Sequence, residues 1–105
     1  MNEKDYMDML FVIHEYFQKE PLVVHFANGL IVKSLSDTGI FETSAEPEDE
    51  DYVGEFITVV KVVETLEPGS DYSVPIYNNY IEISLVNVPT KIALEDETVL
   101  WQNIS

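Results

Sequence analysis

The chain has 105 residues, enough for one domain with a real core, and its 46% hydrophobic content is too high for a disordered tail. Its 20 acidic residues face 5 lysines and no arginine, a formal net charge of -15, so its surface repels nucleic-acid phosphates and anionic membranes. Without cysteine it can form neither a disulfide nor a thiolate site.

The N-terminal sequence is acidic where a secretory signal is basic. No apolar run approaches the ~18 residues that a membrane helix requires. We therefore expect a small acidic cytoplasmic protein with a single domain over residues 1–105, and neither nucleic acid nor membrane as a partner.

The first element is predicted to be a helix over about residues 3–19. Asn2 can cap its N-terminus and Pro21 ends it. A second, partly apolar stripe of Met7, Phe11 and His14 runs beside the main one; we favour deep burial of the helix, with contact to a partner as the alternative. The main stripe has the 3.6-residue period of a buried helix face: Tyr6, Met9, Leu10, Ile13, Tyr16 and Phe17.

After Pro21 the period changes to two, which indicates strands. Asn28-Gly29 predicts a hairpin with a two-residue type I′ turn, in which both central residues have positive φ. A turn of that length places six residues on one face of the hairpin: Leu22, Val24, Phe26, Ile31, Lys33 and Leu35.

The triplet Asp37-Thr38-Gly39 follows the second strand. It resembles the catalytic signature of retroviral-type aspartic proteases, which implies a homodimeric hydrolase with Asp37 as its catalytic acid. However, Ile40 stands where that family has a small residue, and the chain has no Arg for the later glycine-arginine segment. We interpret the triplet as a turn, in which Asp accepts local hydrogen bonds and Gly takes positive φ.

An acidic block follows, with seven acids and no base from Glu42 to Glu55. Like charges around a proline repel one another, so an exposed, mobile loop is predicted over about residues 44–54. Asp49, Asp51 and Gly54 match early positions of an EF-hand calcium loop. We favour a solvated loop, because Val60 stands where the bidentate Glu belongs.

The rest of the chain is rich in β-forming residues. The run 56–66 exceeds the usual strand length, which predicts a bend or bulge. Pro75 limits its segment to an edge strand or loop, and Asn78-Asn79 is interpreted as a turn. A strand over 80–86 and two final strands joined by an acidic turn at 95–97 complete the chain.

These elements predict an α+β, mostly β fold. One N-terminal helix precedes about six or seven strands over residues 22–104, which form a bent antiparallel sheet or a small open barrel. The order of elements is similar to that of Sm-like and SH3-like proteins. This similarity of element order carries no function with it.

Catalytic groups are scarce. His14 and His25 are the only histidines and lie on different predicted elements, and the four glycines form no phosphate-binding loop. We predict no catalytic, cofactor-binding or metal-binding residue.

The predicted function is a non-enzymatic module that binds another protein or a second copy of itself. The alternative is an acidic inhibitor or immunity-type protein that mimics nucleic-acid charge. Steep loss of affinity with added salt would favour the inhibitor, because exposed charge pairs are screened. Candidate partner-binding residues are the second helix stripe, the acidic loop and an aromatic near the C-terminus: Met7, Phe11, Glu48, Asp49, Glu50, Asp51 and Trp101.

Overall fold

The computed structural model describes residues 2–44, 46–50, 52–70 and 76–103. These residues form one N-terminal helix and a curled antiparallel sheet, a half-barrel that confirms the predicted α+β, mostly β fold. The elements are α1 (Glu3–Glu15), β1 (Leu22–His25), β2 (Leu30–Leu35), β3 (Ile40–Glu42), β4 (Phe56–Pro68), β5 (Ile76–Tyr77), β6 (Tyr80–Ile83), β7 (Lys91–Ala93) and β8 (Val99–Gln102).

The long strand β4 organises the sheet. The strand order is β5-β6-β4-β2-β1-β7-β8, and β3 and β2 pair with successive parts of one edge of β4 while β6 pairs with the other. Two register shifts between β2 and β4 confirm the predicted bulge. Each extra residue at such a shift bends and twists the strand. Within the described ranges β8 does not pair with β5, so the half-barrel stays open.

The hydrophobic core lies between α1 and one face of the sheet. Burying one aliphatic side chain in such a core contributes roughly 1.5–3 kcal/mol to stability, so the apolar face of α1 determines how the helix packs on the sheet. The core cluster consists of four helix residues, eight strand residues and Phe26, all with relative exposures of 4% or less: Tyr6, Met9, Leu10, Ile13, Leu22, Val24, Phe26, Leu30, Val32, Val60, Ile81, Ile83 and Ile92.

The helix begins as predicted and ends early. The Asn2 side chain accepts a hydrogen bond from the Asp5 N–H at 2.8 Å, which confirms the cap. The predicted end near residue 19 is wrong, since α1 stops at Glu15. The cause is Gln18, which adopts the left-handed conformation (φ 53°) and donates its N–H to the Ser36 carbonyl at 2.7 Å.

The first hairpin has a longer turn than predicted. The Phe26 N–H donates to the Leu30 carbonyl at 2.9 Å and the Gly29 N–H donates to the Phe26 carbonyl at 3.1 Å, so three residues form the loop. Gly29 has φ of 92°, whereas Asn28 is not in the left-handed region, and the type I′ prediction is therefore wrong. The extra residue reverses the faces of β2: Leu30, Val32 and Ser34 point into the core, and Ile31, Lys33 and Leu35 do not.

Two later turns are confirmed and one strand is shorter than predicted. Asn78 and Asn79 have φ of 51° and 69° and join β5 to β6, and Glu97 has φ of 73° in the turn between β7 and β8. The strand predicted over 80–86 ends at Ile83, because a tight turn follows in which the Asn87 N–H donates to the Ser84 carbonyl at 3.1 Å. Pro75 lies outside the described residues.

Candidate functional site

The acidic loop between β3 and β4 is fixed at both of its ends. The Thr43 N–H donates to the Glu55 carbonyl at 2.7 Å, and the Thr43 hydroxyl donates to the Gly54 carbonyl. The Leu85 N–H donates to the Val53 carbonyl at 2.8 Å, which ties the loop to the turn after β6. The ends of the loop are therefore part of the fold.

The tip of the loop, residues 46–50, is a compact exposed turn. The Asp49 carboxylate accepts the Glu46 N–H at 2.9 Å, and the Asp49 N–H donates to the Glu46 carbonyl at the same distance. Glu48 and Glu50 are exposed, as predicted. Neither carboxylate has a hydrogen-bonding or ionic partner among the described residues.

A groove of about 330 Å³ separates this loop from the first turns of α1. A second cavity of about 400 Å³ lies beside it, shares the lining residues Pro47, Tyr52 and Glu55, and also contacts Glu42 and Glu46. The groove is lined by aromatic, aliphatic and acidic side chains: Glu3, Tyr6, Met7, Pro47, Tyr52, Glu55, Phe56 and Leu85.

The aromatic side of the groove is continuous with the core. Tyr6 is buried, and its hydroxyl donates to the Phe56 carbonyl at 2.6 Å. Burial raises the pKa of Tyr6, and the nearby Glu82 and Tyr52 raise it further, so the hydroxyl stays protonated at neutral pH. Phe56 and Met7 are half-buried and pack against the core. This wall is fixed by the packing that stabilises the fold.

The rim of the groove is anionic. Glu3 and Glu55 are exposed and have no cationic partner in the described part of the chain. No lysine lines either cavity. Lys4 pairs with Asp8 at 2.8 Å and Lys33 with Glu95 at 2.9 Å, so these two cations neutralise carboxylates elsewhere.

The structure brings two of the predicted candidate regions together. Met7 lines the groove, and the loop that carries Glu48, Asp49 and Glu50 forms its opposite wall. Phe11 is 57% exposed on α1, one turn beyond Met7. Their part in partner binding stays a prediction.

Of the remaining two candidates, Trp101 does not line this groove. Trp101 is half-buried on β8 and packs against the core. Asp51 lies outside the described residues.

Of the residues that line the groove, Met7 alone was a predicted partner-binding candidate, and sequence reasoning missed the other seven: Glu3, Tyr6, Pro47, Tyr52, Glu55, Phe56 and Leu85. Tyr52 carried a usable signal, because it is the one aromatic residue in the acidic block and a solvated loop has no need of it. Leu85 carried none, since its place depends on the turn after β6.

The Asp37 triplet forms the bend between β2 and β3; the predicted positive φ of Gly39 is confirmed, whereas the predicted local hydrogen bonding of Asp37 is wrong. Gly39 has φ of 100°, and the Thr38 hydroxyl donates to the Val59 carbonyl at 2.8 Å. The Asp37 carboxylate accepts the Tyr80 hydroxyl at 3.0 Å. Asp37 thus connects the end of β2 to β6.

The two histidines have different surroundings. His14 is exposed on α1, with its ring 5.7 Å from that of Phe17. His25 lies on β1, where partial burial and the nearby Lys91 lower its pKa. Among the described residues no group of three or more His, Asp or Glu side chains is placed to hold a metal ion. The described part of the chain also has no helix of the length and apolarity needed to cross a bilayer.

The model of one protein family, described as cognate immunity protein YxxD, matches residues 4–105, almost the whole chain. The chain belongs to this family. No curated protein and no solved structure matches it. A cognate immunity protein implies a toxin protein as its partner, so the predicted protein-binding function is confirmed in general terms, and the immunity-type alternative is better supported than the leading prediction. Immunity proteins are normally non-enzymatic, which is consistent with the predicted non-enzymatic function.

Proposed function

We propose that this chain neutralises a cognate toxin by binding a basic surface of it through the groove and the loop tip. The observation that carries the proposal is the unpaired acidity of this face, which combines the exposed Glu48 and Glu50 with the rim carboxylates Glu3 and Glu55. Membership of the immunity family supplies the class of partner. In this proposal the carboxylates take the place that nucleic-acid phosphates would occupy on the toxin.

The charge and the groove have different tasks in the proposed complex. Exposed carboxylates attract a basic surface over about 8–10 Å at physiological salt and accelerate the encounter. Each exposed ion pair contributes only about 0.2–1 kcal/mol to affinity. Most of the specificity must therefore come from the groove, where apolar and aromatic surface is buried on binding.

The test compares two triple variants with the same change in charge. Glu46→Gln/Glu48→Gln/Glu50→Gln neutralises the loop tip, and Glu64→Gln/Glu67→Gln/Glu97→Gln neutralises three exposed acids that do not line the groove. Calorimetry with the cognate toxin at 50 mM NaCl should show about tenfold weaker binding for the first variant, because three exposed pairs of about 0.5 kcal/mol are lost. The second variant should change affinity less than about threefold.

Salt provides the second measurement. Between 50 and 300 mM NaCl we expect affinity for the toxin to fall steeply in the unmodified chain, and less in the loop-tip variant, since fewer charges remain to be screened. Equal losses in the two triple variants, or affinity independent of salt, would contradict the proposal. Salt-independent binding would instead indicate an ordinary apolar protein contact.

A further inference from the structure

The groove has the shape and chemistry to hold one cationic side chain. We infer that it seats a single arginine side chain of the toxin, between the aromatic wall and the two rim carboxylates. This inference rests on the proposed function and names the chemical group that the site recognises.

The size of the groove favours one side chain over a folded segment. Its volume of about 330 Å³ is near the lower end of the range for ligand pockets. Tyr6, Tyr52 and Phe56 supply aromatic surface, and Met7 and Leu85 supply aliphatic surface. A long side chain with an apolar stem and a polar head matches this lining.

The negative charge of the groove requires that the polar end of the bound side chain be a cation. Glu3 comes from the first turn of α1 and Glu55 from the end of the acidic loop, so carboxylates approach the groove from two elements. With no lysine in the lining, nothing in the described chain compensates them. A cation over an aromatic face gains further attraction from the ring quadrupole.

Arginine fits this lining better than lysine. Its guanidinium is planar and weakly hydrated, so it can stack on Tyr52 or Phe56 without losing a tightly held water shell. Its donors form a fork suited to carboxylate oxygens, which Glu3 and Glu55 both supply to the lining of the groove. An ammonium group is compact and strongly hydrated. Contacts with the apolar part of the groove would not offset the free energy needed to remove its hydration water.

Hydrogen bonds within the folded protein fix the walls of the groove in the absence of a ligand. The hydrogen bond from Tyr6 to the Phe56 carbonyl fixes the aromatic wall. The bonds from Thr43 to the Glu55 carbonyl and from Leu85 to the Val53 carbonyl fix the end of the loop. Binding therefore orders little of the protein, which removes a large part of the usual entropic cost.

The first test uses the free protein with N-acetylargininamide as the probe, followed by ¹⁵N–¹H spectra. We expect saturable, millimolar binding with the largest shifts at the amides of Tyr52, Gly54, Glu55 and Leu85. The neutral isostere N-acetylcitrullinamide should give no saturable shift, and N-acetyllysinamide should bind at least threefold more weakly. Absence of saturation, an equal response to citrulline, or equal affinity for lysine would overturn the inference.

The second test uses groove variants with matched controls. Tyr52→Leu and Glu55→Gln should each weaken argininamide binding by about fivefold and toxin binding by about tenfold. Tyr77→Leu removes a tyrosine that is 78% exposed and does not line the groove, and Glu64→Gln removes an acid outside it; both should leave the two affinities unchanged. Thermal unfolding of each variant checks that the fold is retained.

The outcomes separate this inference from the proposed function. If loop-tip neutralisation weakens toxin binding while Tyr52→Leu and Glu55→Gln do not, the acidic face binds the toxin and the arginine seat is overturned. If argininamide occupies the groove while both loop-tip and groove variants keep full toxin affinity, the proposed function fails, and with it the assignment of the arginine to the toxin.

Discussion

At the scale of single residues, Tyr6 connects the core to the groove. It is 3% exposed, packs in the core cluster and also lines the groove. Its hydroxyl bond to the Phe56 carbonyl joins α1 to the first residue of β4. One side chain therefore contributes both to stability and to the shape of the candidate site.

The ionisation of Tyr6 predicts how stability changes at alkaline pH. Its pKa is raised in the folded protein from the usual value of 10.0, chiefly by burial. Below pH 10 its stabilising contribution is complete. Above pH 10 the unfolded chain loses the proton and the folded chain keeps it, so the free energy of unfolding falls by up to about 1.4 kcal/mol per pH unit until the folded pKa is reached.

Tyr6→Phe should remove this part of the alkaline slope. At neutral pH the variant should be about 1 kcal/mol less stable, since the Phe56 carbonyl loses its donor. Urea unfolding at pH 7, 9, 10 and 11 measures both effects. Tyr77→Phe, at an exposed tyrosine, is the control and should keep the slope of the unmodified chain. An alkaline slope that is the same in Tyr6→Phe as in the unmodified chain would contradict the assignment.

At the scale of elements, the β1–β2 hairpin depends on one glycine. A Cβ added at Gly29 would meet nothing closer than the Gly69 Cα at 3.9 Å, so there is space for it. The cost of Gly29→Ala therefore comes from its φ of 92°, which is unfavourable for an L-residue by roughly 1–2 kcal/mol. Ala27→Gly in the same exposed loop should cost less than about 1 kcal/mol. Chemical denaturation of the two variants compares them, and equal stability of Gly29→Ala and the unmodified chain would contradict this account.

The same hairpin shows which parts of the fold the sequence could predict. The main helix stripe follows from local periodicity, and its four residues within α1 are buried as predicted. The inward face of β1 was not predicted, because both faces of the hairpin are rather apolar in sequence. The face of β2 depends on whether the turn has two or three residues, and an Asn-Gly pair occurs in both kinds of turn. The end of α1 was not predictable from its own residues, because Gln18 bonds to Ser36, which lies beyond the next two strands.

The candidate site was predictable in parts and not as a whole. Met7 and the acidic loop each carried a local signal, one from helical spacing and the other from charge. Their approach to one another depends on contacts between distant residues, such as Tyr6 with Phe56 and Leu85 with Val53. No pattern of period two or 3.6 records such contacts, which is why Glu3 and Glu55 were not recognised as neighbours of one groove.

At the scale of the whole molecule, the net charge of -15 has two opposite consequences. Repulsion among the carboxylates destabilises the compact state, and added salt screens it. Raising NaCl from 20 to 500 mM should therefore increase the Tm of the free protein by a few degrees. Over the same range the affinity for a basic toxin surface should fall, because salt screens attraction as well as repulsion.

The two triple variants distinguish these consequences, because stability depends on the total charge and toxin binding on its position. Each triple variant neutralises three exposed acids, at residues 46, 48 and 50 or at residues 64, 67 and 97. Both variants should therefore have a higher Tm at low salt and a weaker dependence of Tm on salt, by similar amounts. Only the loop-tip variant should also reduce the salt dependence of toxin affinity. Thermal scans and calorimetry over one salt series measure both quantities. If the two variants reduced the salt dependence of binding equally, the attraction would belong to the overall charge of the molecule and the loop tip would have no special part in it.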